Sequence, residues 1–425
     1  MLFLYRCLTF FLFPVFLVII FLRLVFKKED RVRFKEKVFS SAFRPSKNNG
    51  RKLIWFHAAS IGETLSVLPL IEEINNSNKN FEFLITSVTL SSANLLEKII
   101  NQKKQISITH RFFPFDTKHL VEKFLDVWEP NLVCFVESEI WPNFLFAIKK
   151  REIPLVLVNG RITKKTFNRW KIVPFFAKKV FNNFDLCLAA SEESKNNLQN
   201  LQVENLIYIG NLKFSVNSKV KTLDESNKKI LDSSRVWCAA STHEGEENII
   251  LKAHIEIKKK YENTLTIIVP RHISRCFYVK KLSKKFNLCS QTLNDKDLIS
   301  ENTEILIINS FGVLPKYFEY CKNIFIGKSL VEKLKCVGGQ NPIEAAKSGC
   351  KIFHGPYFYN FQEIYNLLNA HGISEQIDNE NELAQKIIDN FKKPKKINNQ
   401  QIELLNDHGN EILKETVKKL SLFLK

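Results

Sequence analysis

Apolar and polar positions follow one repeating order along most of the chain: a short apolar run, a polar turn, then a stretch with helical spacing. In residues 53–74 the apolar run precedes apolar positions spaced three apart, at Leu65, Leu68, Ile71 and Ile74, as on one face of a helix. This pattern predicts a strand, a tight turn and a helix. Such a turn lies at the carboxyl edge of a parallel sheet, where open α/β folds bind ligands.

The same order recurs in both halves of the chain. In the first half, strands are predicted at 83–88, 107–113, 132–136, 155–158, 186–189 and 207–210. In the second half, they are predicted at 237–240, 266–269, 305–308, 324–327 and 352–353, and 352–353 is the last predicted strand. Strands that alternate with helices predict parallel, doubly wound sheets. A chain of 425 residues exceeds the ~250 to 300 residues of a single core. We therefore expect two α/β domains, joined by the polar tract 215–229.

The amino terminus has a different pattern. Residues 7–22 carry no charge and are almost wholly apolar, and seven basic residues follow from Arg23 to Lys37. Because basic residues stand where a cleaved signal peptide would have a small-residue cleavage site, a retained membrane anchor is predicted. The basic flank places the following domains in the cytoplasm. The expected division is an anchor at 1–26 and domains at 27–214 and 215–425.

The formal charge of +19 calls for an acidic partner or surface, such as nucleic acid, anionic lipid or a phosphorylated substrate. The lysines are scattered and no nucleic-acid-binding motif is present, so a nucleic-acid partner is not expected. Many of these lysines could simply form a solvated surface. The nine cysteines are odd in number and lack C-x-x-C spacing, which favours reduced thiols over disulfides or a zinc site. No metal or other cofactor is expected.

Polar residues recur where the strands of the first half end. They are His57, Glu63, Asp116, Glu137, Glu139, Asn143 and Arg161. The ends of parallel strands converge on one edge, so these side chains could line one cleft, with Glu63 the first candidate for chemistry. Each could instead be a turn or cap residue. Ser60 and Glu63 also have the spacing of a capping box, which would make Glu63 a helix-start residue only.

The most informative stretch of the second half is 338–349. Its two glycines allow close backbone approach, Asn341 can cap a helix and Pro342 suits the first helical position. A helix amino terminus binds phosphate, and Glu344 could accept hydrogen bonds from ribose hydroxyls or merely compensate the helix dipole. Arg271, at a neighbouring strand end, could reach the same phosphate. A nucleotide site is therefore predicted here.

Seven segments, in order along nearly the whole chain, resemble the 3-deoxy-D-manno-octulosonic acid (Kdo) transferase family. They are HAASIGE at 57–63, ESEIWPN at 137–143, NGR at 159–161, GNLK at 210–213, ASTHEGE at 240–246, VPRH at 269–272 and GQNPIE at 339–344. The resemblance implies an inverting glycosyltransferase that moves Kdo from CMP-Kdo to a lipid A precursor. It also implies two facing Rossmann-like domains (GT-B type) after the anchor, with the acceptor bound by the first and CMP-Kdo by the second.

Carried over by position, Glu63 corresponds to the general base. Glu137, Glu139 and Arg161 are possible acceptor-side or auxiliary residues. The positions that correspond to cytidine nucleotide binding are Pro270, Arg271, Phe311, Gly312, Val313, Asn341, Pro342, Ile343 and Glu344. The chain departs from the family where Val313 replaces a frequent acidic residue, where Lys328 replaces a glycine, and at 334–337, which have no family equivalent.

The expected partners are therefore CMP-Kdo, the lipid A precursor and the inner membrane surface, with the catalytic domains on the cytoplasmic side. Two alternatives remain at this stage. Another nucleotide-sugar enzyme of the same fold, a different glycosyltransferase or an epimerase, would also use Glu344 but leaves the anchor unexplained. A membrane-bound nucleic-acid module would use the charge but not Glu63.

Overall fold

A computed structural model describes residues 1–39, 50–216, 223–295, 297–310, 312–335, 337–393 and 398–424. The chain forms two compact units, Met1–Val216 with His408–Lys425, and Asn217–Asp407. The sequence placed a boundary between 214 and 215 and assigned 408–425 to the second domain, whereas these carboxyl-terminal residues pack with the first unit. The reason lies in tertiary packing: the Phe214 ring meets His408 edge to face, with 4.9 Å between ring centroids.

The first unit is built on a parallel sheet of seven strands: β1 (Lys52–His57), β2 (Phe81–Ser87), β3 (Ile108–Phe112), β4 (Leu132–Val136), β5 (Leu155–Gly160), β6 (Leu186–Ala189) and β7 (Leu206–Tyr208). Their order is β3-β2-β1-β4-β5-β6-β7. The helices are α1 (Leu2–Phe11), α2 (Phe13–Val25), α3 (Ile61–Ser77), α4 (Leu90–Gln102), α5 (Lys118–Trp128), α6 (Pro142–Lys150), α7 (Lys164–Trp170), α8 (Pro174–Phe181) and α9 (Glu192–Asn200).

The second unit has the same plan. Its strands are β8 (Arg235–Thr242), β9 (Thr264–Pro270), β10 (Ser290–Leu293), β11 (Ile305–Ile308), β12 (Asn323–Ile326), β13 (Lys351–His354) and β14 (Ser374–Gln376), in the order β10-β11-β9-β8-β12-β13-β14. The helices are α10 (Glu225–Ser233), α11 (Glu246–Lys258), α12 (Cys276–Lys285), α13 (Pro315–Phe318), α14 (Ile343–Lys347), α15 (Gln362–Ala370), α16 (Glu380–Phe391) and α17 (Asn399–Ser421).

Short 3-10 turns occur at Arg33–Lys37, Leu212–Ser215, Ile273–Arg275, Glu332–Leu334 and Tyr359–Phe361. The α/β, doubly wound architecture predicted from the sequence is confirmed. Every residue of β4 is buried, as expected for a parallel strand covered on both faces. Two predictions were wrong: α10 begins inside the predicted linker 215–229, of which 217–222 lie outside the described residues, and β14 follows the strand predicted to be last.

The apolar amino terminus forms two helices. Pro14, in the first turn of α2, lacks an N–H and its ring clashes with the preceding turn, which explains the break between α1 and α2. Within the described residues no single helix is long and apolar enough to cross a membrane, and α1 and α2 satisfy that criterion only as a pair bent by 46°. The Tyr5 hydroxyl donates to Asp116 at 2.7 Å, so α1 is fastened to the sheet-bearing part of its unit.

Candidate functional site

The strand order reverses at one place in each sheet, between β1 and β4 and between β8 and β12. In open α/β sheets the ligand crevice lies outside the carboxyl ends of the strands at this switch point. The residues that follow these four strands are therefore the first candidates for binding and catalysis in each unit.

Glu63 lies in the first turn of α3, directly after β1. The Ser60 side chain caps the helix by accepting a hydrogen bond from the Glu63 N–H at 3.3 Å. The Glu63 carboxylate accepts in return from the Ser60 hydroxyl at 2.7 Å and the Ala59 N–H at 2.8 Å. This reciprocal arrangement is close to a capping box, so the structural alternative raised for Glu63 is present in the fold.

A capping role alone does not explain why two further carboxylates lie near Glu63. Burial, followed by the negative charge of Glu137 and then that of Glu139, raises the pKa of Glu63 above its ordinary value, although the Ser60 and Ala59 hydrogen bonds oppose the shift. Three carboxylates thus meet at the first switch point, as the sequence predicted for Glu63, Glu137 and Glu139. A carboxylate with a raised pKa in such a cluster is typical of a general base.

Glu137 directly follows β4 and has a left-handed backbone, with φ at 58°. A non-glycine residue in this region costs roughly 1 to 2 kcal/mol. Such residues recur at functional sites and also at helix ends, as at Glu129 after α5. Its Oε1 lies 2.5 Å from Nζ of Lys213, and both side chains are largely buried. The backbone N–H of Arg161 donates to the Glu137 carbonyl at 3.1 Å. The backbone of Arg161 thus lies beside Glu137.

Lys213 was not assigned a role from the sequence. Asn159, near the end of β5, accepts from the Leu212 N–H at 2.9 Å, and Asn211 accepts from the Lys213 N–H at 3.0 Å. The Asn159 amide holds the segment 210–213 next to the end of β5, and the Asn211 amide caps the turn within that segment. From the sequence, the segments 159–161 and 210–213 stand out only as family motifs. The one signal for a site role of Lys213 is that 210–213 follows a predicted strand.

Glu139 is held as an anion by two donors. Its Oε2 accepts from the Trp141 indole at 2.8 Å and lies 3.2 Å from Nε2 of His57. Burial alone would raise its pKa, but the His57 and Trp141 hydrogen bonds bring the pKa of Glu139 below the ordinary value. Because Glu139 is then ionised, Nε2 of His57 carries a proton and donates it.

His57 itself is fixed on every side. It is fully buried at the end of β1, and its ring stacks on Phe113 with 3.7 Å between centroids. Nδ1 lies 3.0 Å from the Thr86 hydroxyl, which accepts from the Trp55 indole at 2.8 Å. A chain of hydrogen bonds therefore runs from the core through His57 to Glu139.

Two of the strand-end candidates are structural. Asp116 accepts from the N–H groups of Asn143 and Phe144, at 3.1 and 3.0 Å, and so caps α6. The Asn143 amide donates to the Asp116 carbonyl at 2.6 Å. Burial raises the pKa of Asp116 to about 6. Both of its oxygens accept from α1 or α6, which matches the turn and cap alternative.

The second switch point carries the opposite charge. His243 follows β8 and its ring lies 6.1 Å from that of His272. Burial, with the nearby Lys328, His272 and Arg271, lowers the pKa of His243, although its hydrogen bond to the Ser241 carbonyl opposes the shift. Lys328 follows β12 with φ at 61°, and Arg271, after β9, is exposed. Four nitrogenous side chains thus form a site suited to an anion.

Glu246 fastens the two loops of this site together. One carboxylate oxygen accepts from the N–H groups of His243 and Lys328, at 2.9 and 2.8 Å, and the other accepts from Ser329 and Leu330, at 2.8 and 3.1 Å. The side chain is fully buried. Its role as a loop clamp depends on contacts more than eighty residues apart, which the sequence does not reveal.

The remaining predicted nucleotide residues lie at the end of β9, after β11 and around the start of α14. Pro270 ends β9, Gly312 has φ at 70°, Val313 is buried, and Phe311 lies outside the described residues. The Asn341 side chain accepts from the Ile343 N–H at 3.1 Å. Helix α14 begins after Pro342, one residue later than predicted, and has only five residues, so its dipole is weaker than the sequence suggested.

The two glycines before α14 are required by close packing. A Cβ on Gly338 would lie 2.0 Å from the Tyr357 carbonyl oxygen, and Gly339 has φ at 97°. Within the described ranges, no cluster of three or more His, Cys, Asp or Glu side chains is arranged to hold a metal ion. The described cysteines are all free thiols.

Comparison with known proteins identifies relatives of this chain. Residues 32–216 match the family model described as 3-deoxy-D-manno-octulosonic-acid transferase (kdotransferase). A 3-deoxy-D-manno-octulosonic acid transferase of Rickettsia bellii is 34% identical over 357 residues, covering 83% of this chain and 82% of that protein. That of Rickettsia prowazekii is 30% identical over 472 aligned residues, covering both chains completely. A solved glycosyltransferase from Rickettsia africae, 14% identical, has the same fold, with a TM-score of 0.57 over 88% of this chain and 99% of that one.

Proposed function

This chain belongs to the 3-deoxy-D-manno-octulosonic acid transferase family, and from that premise we propose that it transfers Kdo from CMP-Kdo to a lipid A precursor in lipopolysaccharide biosynthesis. The reaction inverts the anomeric configuration and releases CMP. The observation that carries the proposal is the pair of oppositely charged strand-end clusters: carboxylates with Glu63 in the first unit and cations with Arg271 in the second.

Glu63 is the general base in this proposal. Its carboxylate accepts one hydrogen bond at each oxygen, which orients it and leaves lone pairs for a glucosamine hydroxyl of the acceptor. Glu63 takes the hydroxyl proton while that oxygen forms the new bond to the anomeric carbon of Kdo. The raised pKa of Glu63 brings its basicity closer to the working pH, as efficient proton transfer requires. Glu139 and Glu137 act through this electrostatic effect.

The second cluster holds the leaving group. As the bond from the anomeric carbon to the phosphate oxygen breaks, negative charge grows on CMP. Arg271 and Lys328 supply positive charge at that place, which stabilises the transition state more than the ground state. The nucleoside part of CMP is bound by Pro270, Gly312, Val313 and residues 341–344. Phe311 is assigned to the same group from its position in the sequence.

We further propose that the first unit attaches to the cytoplasmic face of the inner membrane. The outward sides of α1 and α2 are apolar, and nearby Phe175, in α8, is 86% exposed. Its neighbour Phe176 contacts Tyr5 of α1 at 6.4 Å between ring centroids, so the apolar surface continues from α1 to α8. A patch of this kind marks a membrane or protein interface, and a lipid acceptor favours the membrane.

Part of the basic flank is used inside the protein. Arg23 and Lys37 pair with Glu29, and Arg33 pairs with Glu36. Lys27, Lys28, Arg31 and Lys35 form no ion pair with residues that the structure describes, and they are available to anionic headgroups. Pelleting with vesicles tests the attachment. Phe175→Ser should reduce the bound fraction of protein, whereas Leu298→Ser, which removes an exposed apolar side chain from the second unit, should not.

Mass spectrometry of the lipid product tests the reaction. Purified protein with CMP-Kdo and a lipid A precursor should add one or more Kdo masses to the lipid and release CMP. A parallel incubation with UDP-N-acetylglucosamine tests the alternative enzymes of the same fold. Turnover of the UDP-sugar without turnover of CMP-Kdo would replace the proposed function by that alternative.

A further inference from the structure

Helix α12 in the second unit presents an unusual outer face. Its buried side contains Cys276, Val279 and Ser283. The opposite side begins with Phe277, which is 79% exposed, and Tyr278, which is 48% exposed. Four exposed lysines follow within two turns, at 280, 281, 284 and 285. Phe277 is the most exposed large apolar side chain among the described residues of its unit.

The charge on this face is not compensated. None of the four lysines forms an ion pair with any residue in the described parts of the chain. Elsewhere in the same unit lysines commonly pair with carboxylates, as at Lys228, Lys252, Lys258, Lys259, Lys316, Lys333, Lys351, Lys386 and Lys392. The sequence explains the difference, because 263–294 contains six Lys or Arg residues and no Asp or Glu.

Arg275 is the exception within the segment. Its guanidinium pairs with buried Glu247 at 2.9 Å and lies over the Tyr278 ring at 5.0 Å. These contacts anchor the start of α12 and fix the Tyr278 ring. The aromatic pair is therefore presented by a rigid helix end rather than by a loop.

We propose that the α12 face, Phe277, Tyr278 and the four lysines, docks on an anionic lipid bilayer. An aromatic ring enters the boundary between headgroups and acyl chains, while lysine stems lie along it and their ammonium groups reach the phosphates. Each lysine near such a surface contributes about fivefold to the binding constant. Phe277, 79% exposed at the start of this face, supplies the apolar contact that lysines alone would lack.

This contact goes beyond the proposed function, because it gives the donor-side unit a lipid contact of its own. The reaction could proceed as proposed without it, and α12 could bind lipid in a protein with another activity. The segment that carries the contact is adjacent in sequence to Arg271 and His272. Attachment of α12 would therefore keep this part of the second unit at the membrane surface.

Quenching by brominated lipids tests the proposal in the full chain. Phe277→Trp introduces a tryptophan on the α12 face, and Leu298→Trp introduces one at another exposed apolar position of the same unit. Wild-type emission is subtracted in each case. Vesicles of brominated phosphatidylcholine are compared with and without phosphatidylglycerol, and pelleting of the same samples records overall attachment.

The tryptophan introduced at 277 should be quenched in anionic vesicles, and the one at 298 should not. Changing Lys280 and Lys281 to Gln in the Phe277→Trp background should raise the phosphatidylglycerol concentration needed for quenching, by about fivefold for each lysine. Pelleting without quenching at 277 overturns the docking of α12 while the attachment of the first unit stands. Equal quenching in purely zwitterionic vesicles overturns the role of the lysines, and no difference between 277 and 298 overturns the assignment of the face.

Discussion

The two sheets carry opposite charges at corresponding positions, namely the carboxyl ends of the strands at each switch point. β4 lies beside β1 and is followed by Glu137, and β12 lies beside β8 and leads to Lys328. Both residues have left-handed backbones, with φ at 58° and 61°. Glu137 belongs to a cluster of carboxylates, whereas Lys328 belongs to a cluster of cations. One scaffold, used twice, thus presents a carboxylate cluster in one unit and a group of cationic side chains in the other.

The comparison shows that the strand ends determine the chemistry, while the sheet only positions them. A left-handed backbone is normally left to glycine, because other residues pay roughly 1 to 2 kcal/mol there. Other charged residues share this conformation at helix ends, as Glu129 does after α5. Glu137 and Lys328 differ from them in lying at the two switch points. The predictions below alter one cluster at a time and ask whether the other keeps its role.

Loss of the base should have the largest effect. Glu63→Gln keeps the size of the side chain but cannot take a proton, so kcat should fall by roughly 10²- to 10⁴-fold. The KM for CMP-Kdo should change little, because the donor-side cluster is untouched. Steady-state kinetics on both substrates provides the measurement.

Ser60→Ala is the matched control for that change. It removes the cap hydroxyl, which should cost about 1 kcal/mol of unfolding free energy, and it leaves the Glu63 carboxylate in place. If the two variants lost activity equally, Glu63 would be a helix-start residue and the base would have to be sought elsewhere.

Loss of a donor-side cation should come next. Arg271→Gln removes a charge-assisted hydrogen bond to the phosphate, which is typically worth about 1.5 to 3 kcal/mol. The KM for CMP-Kdo should rise by roughly 10- to 100-fold, and the affinity for CMP should fall in parallel. Lys252→Gln, which breaks an ion pair with Glu380 in the same unit, is the control. An unchanged CMP affinity in Arg271→Gln would remove this residue from the donor site.

The sequence predicts the buried apolar strands better than the polar edge strands of the second sheet. β4, β6 and β11 match the predicted bounds, because they are buried, uninterrupted apolar runs. β10 and β14 were missed. They are edge strands of the second sheet with the sequences SQTL and SEQ, and a strand with one solvated edge needs little apolar pattern.

The same limit applies to the candidate site. Strand-end reasoning brought Glu63, Glu137 and Glu139 together, because parallel topology alone sets that edge. It could not separate them from Asp116, whose oxygens are used by α1 and α6. It also could not find Lys213, since that ion pair depends on a turn distant in sequence.

The pH dependence should sharpen the contrast within the acidic cluster. The base must be ionised to act, so kcat/KM should fall on the acid side at the pKa of Glu63, which burial and its neighbours raise. Glu139→Gln removes one neighbouring negative charge and favours the ionised form of Glu63. The acid limb of the profile should therefore move to lower pH. Glu72→Gln, in a salt bridge with Lys103 on the outer part of the unit, should leave the profile in place.

His57→Asn tests the same cluster through its positioning residue. The shorter amide cannot reach Glu139 as the imidazole does, so the hydrogen bond that holds Glu139 as an anion is lost. The pKa of Glu139 should then rise, its negative charge at a given pH should diminish, and the acid limb should again move to lower pH. A loss of kcat with an unmoved profile would assign His57 to packing against Phe113 alone.

Lys328→Gly should produce the smallest effect, and one of mixed sign. Glycine adopts the left-handed backbone without strain, so the unfolding free energy should rise by up to about 1 kcal/mol. The change also removes a positive charge that lowers the pKa of His243, so that pKa should move up. Donor binding should nevertheless weaken, since one cation of the anion site is gone. Thermal unfolding, with and without CMP, separates the two contributions: the free protein should melt higher and CMP should stabilise it less. If CMP stabilised the variant as much as the wild type, Lys328 would have no part in the anion site and its correspondence with Glu137 would be one of backbone geometry only.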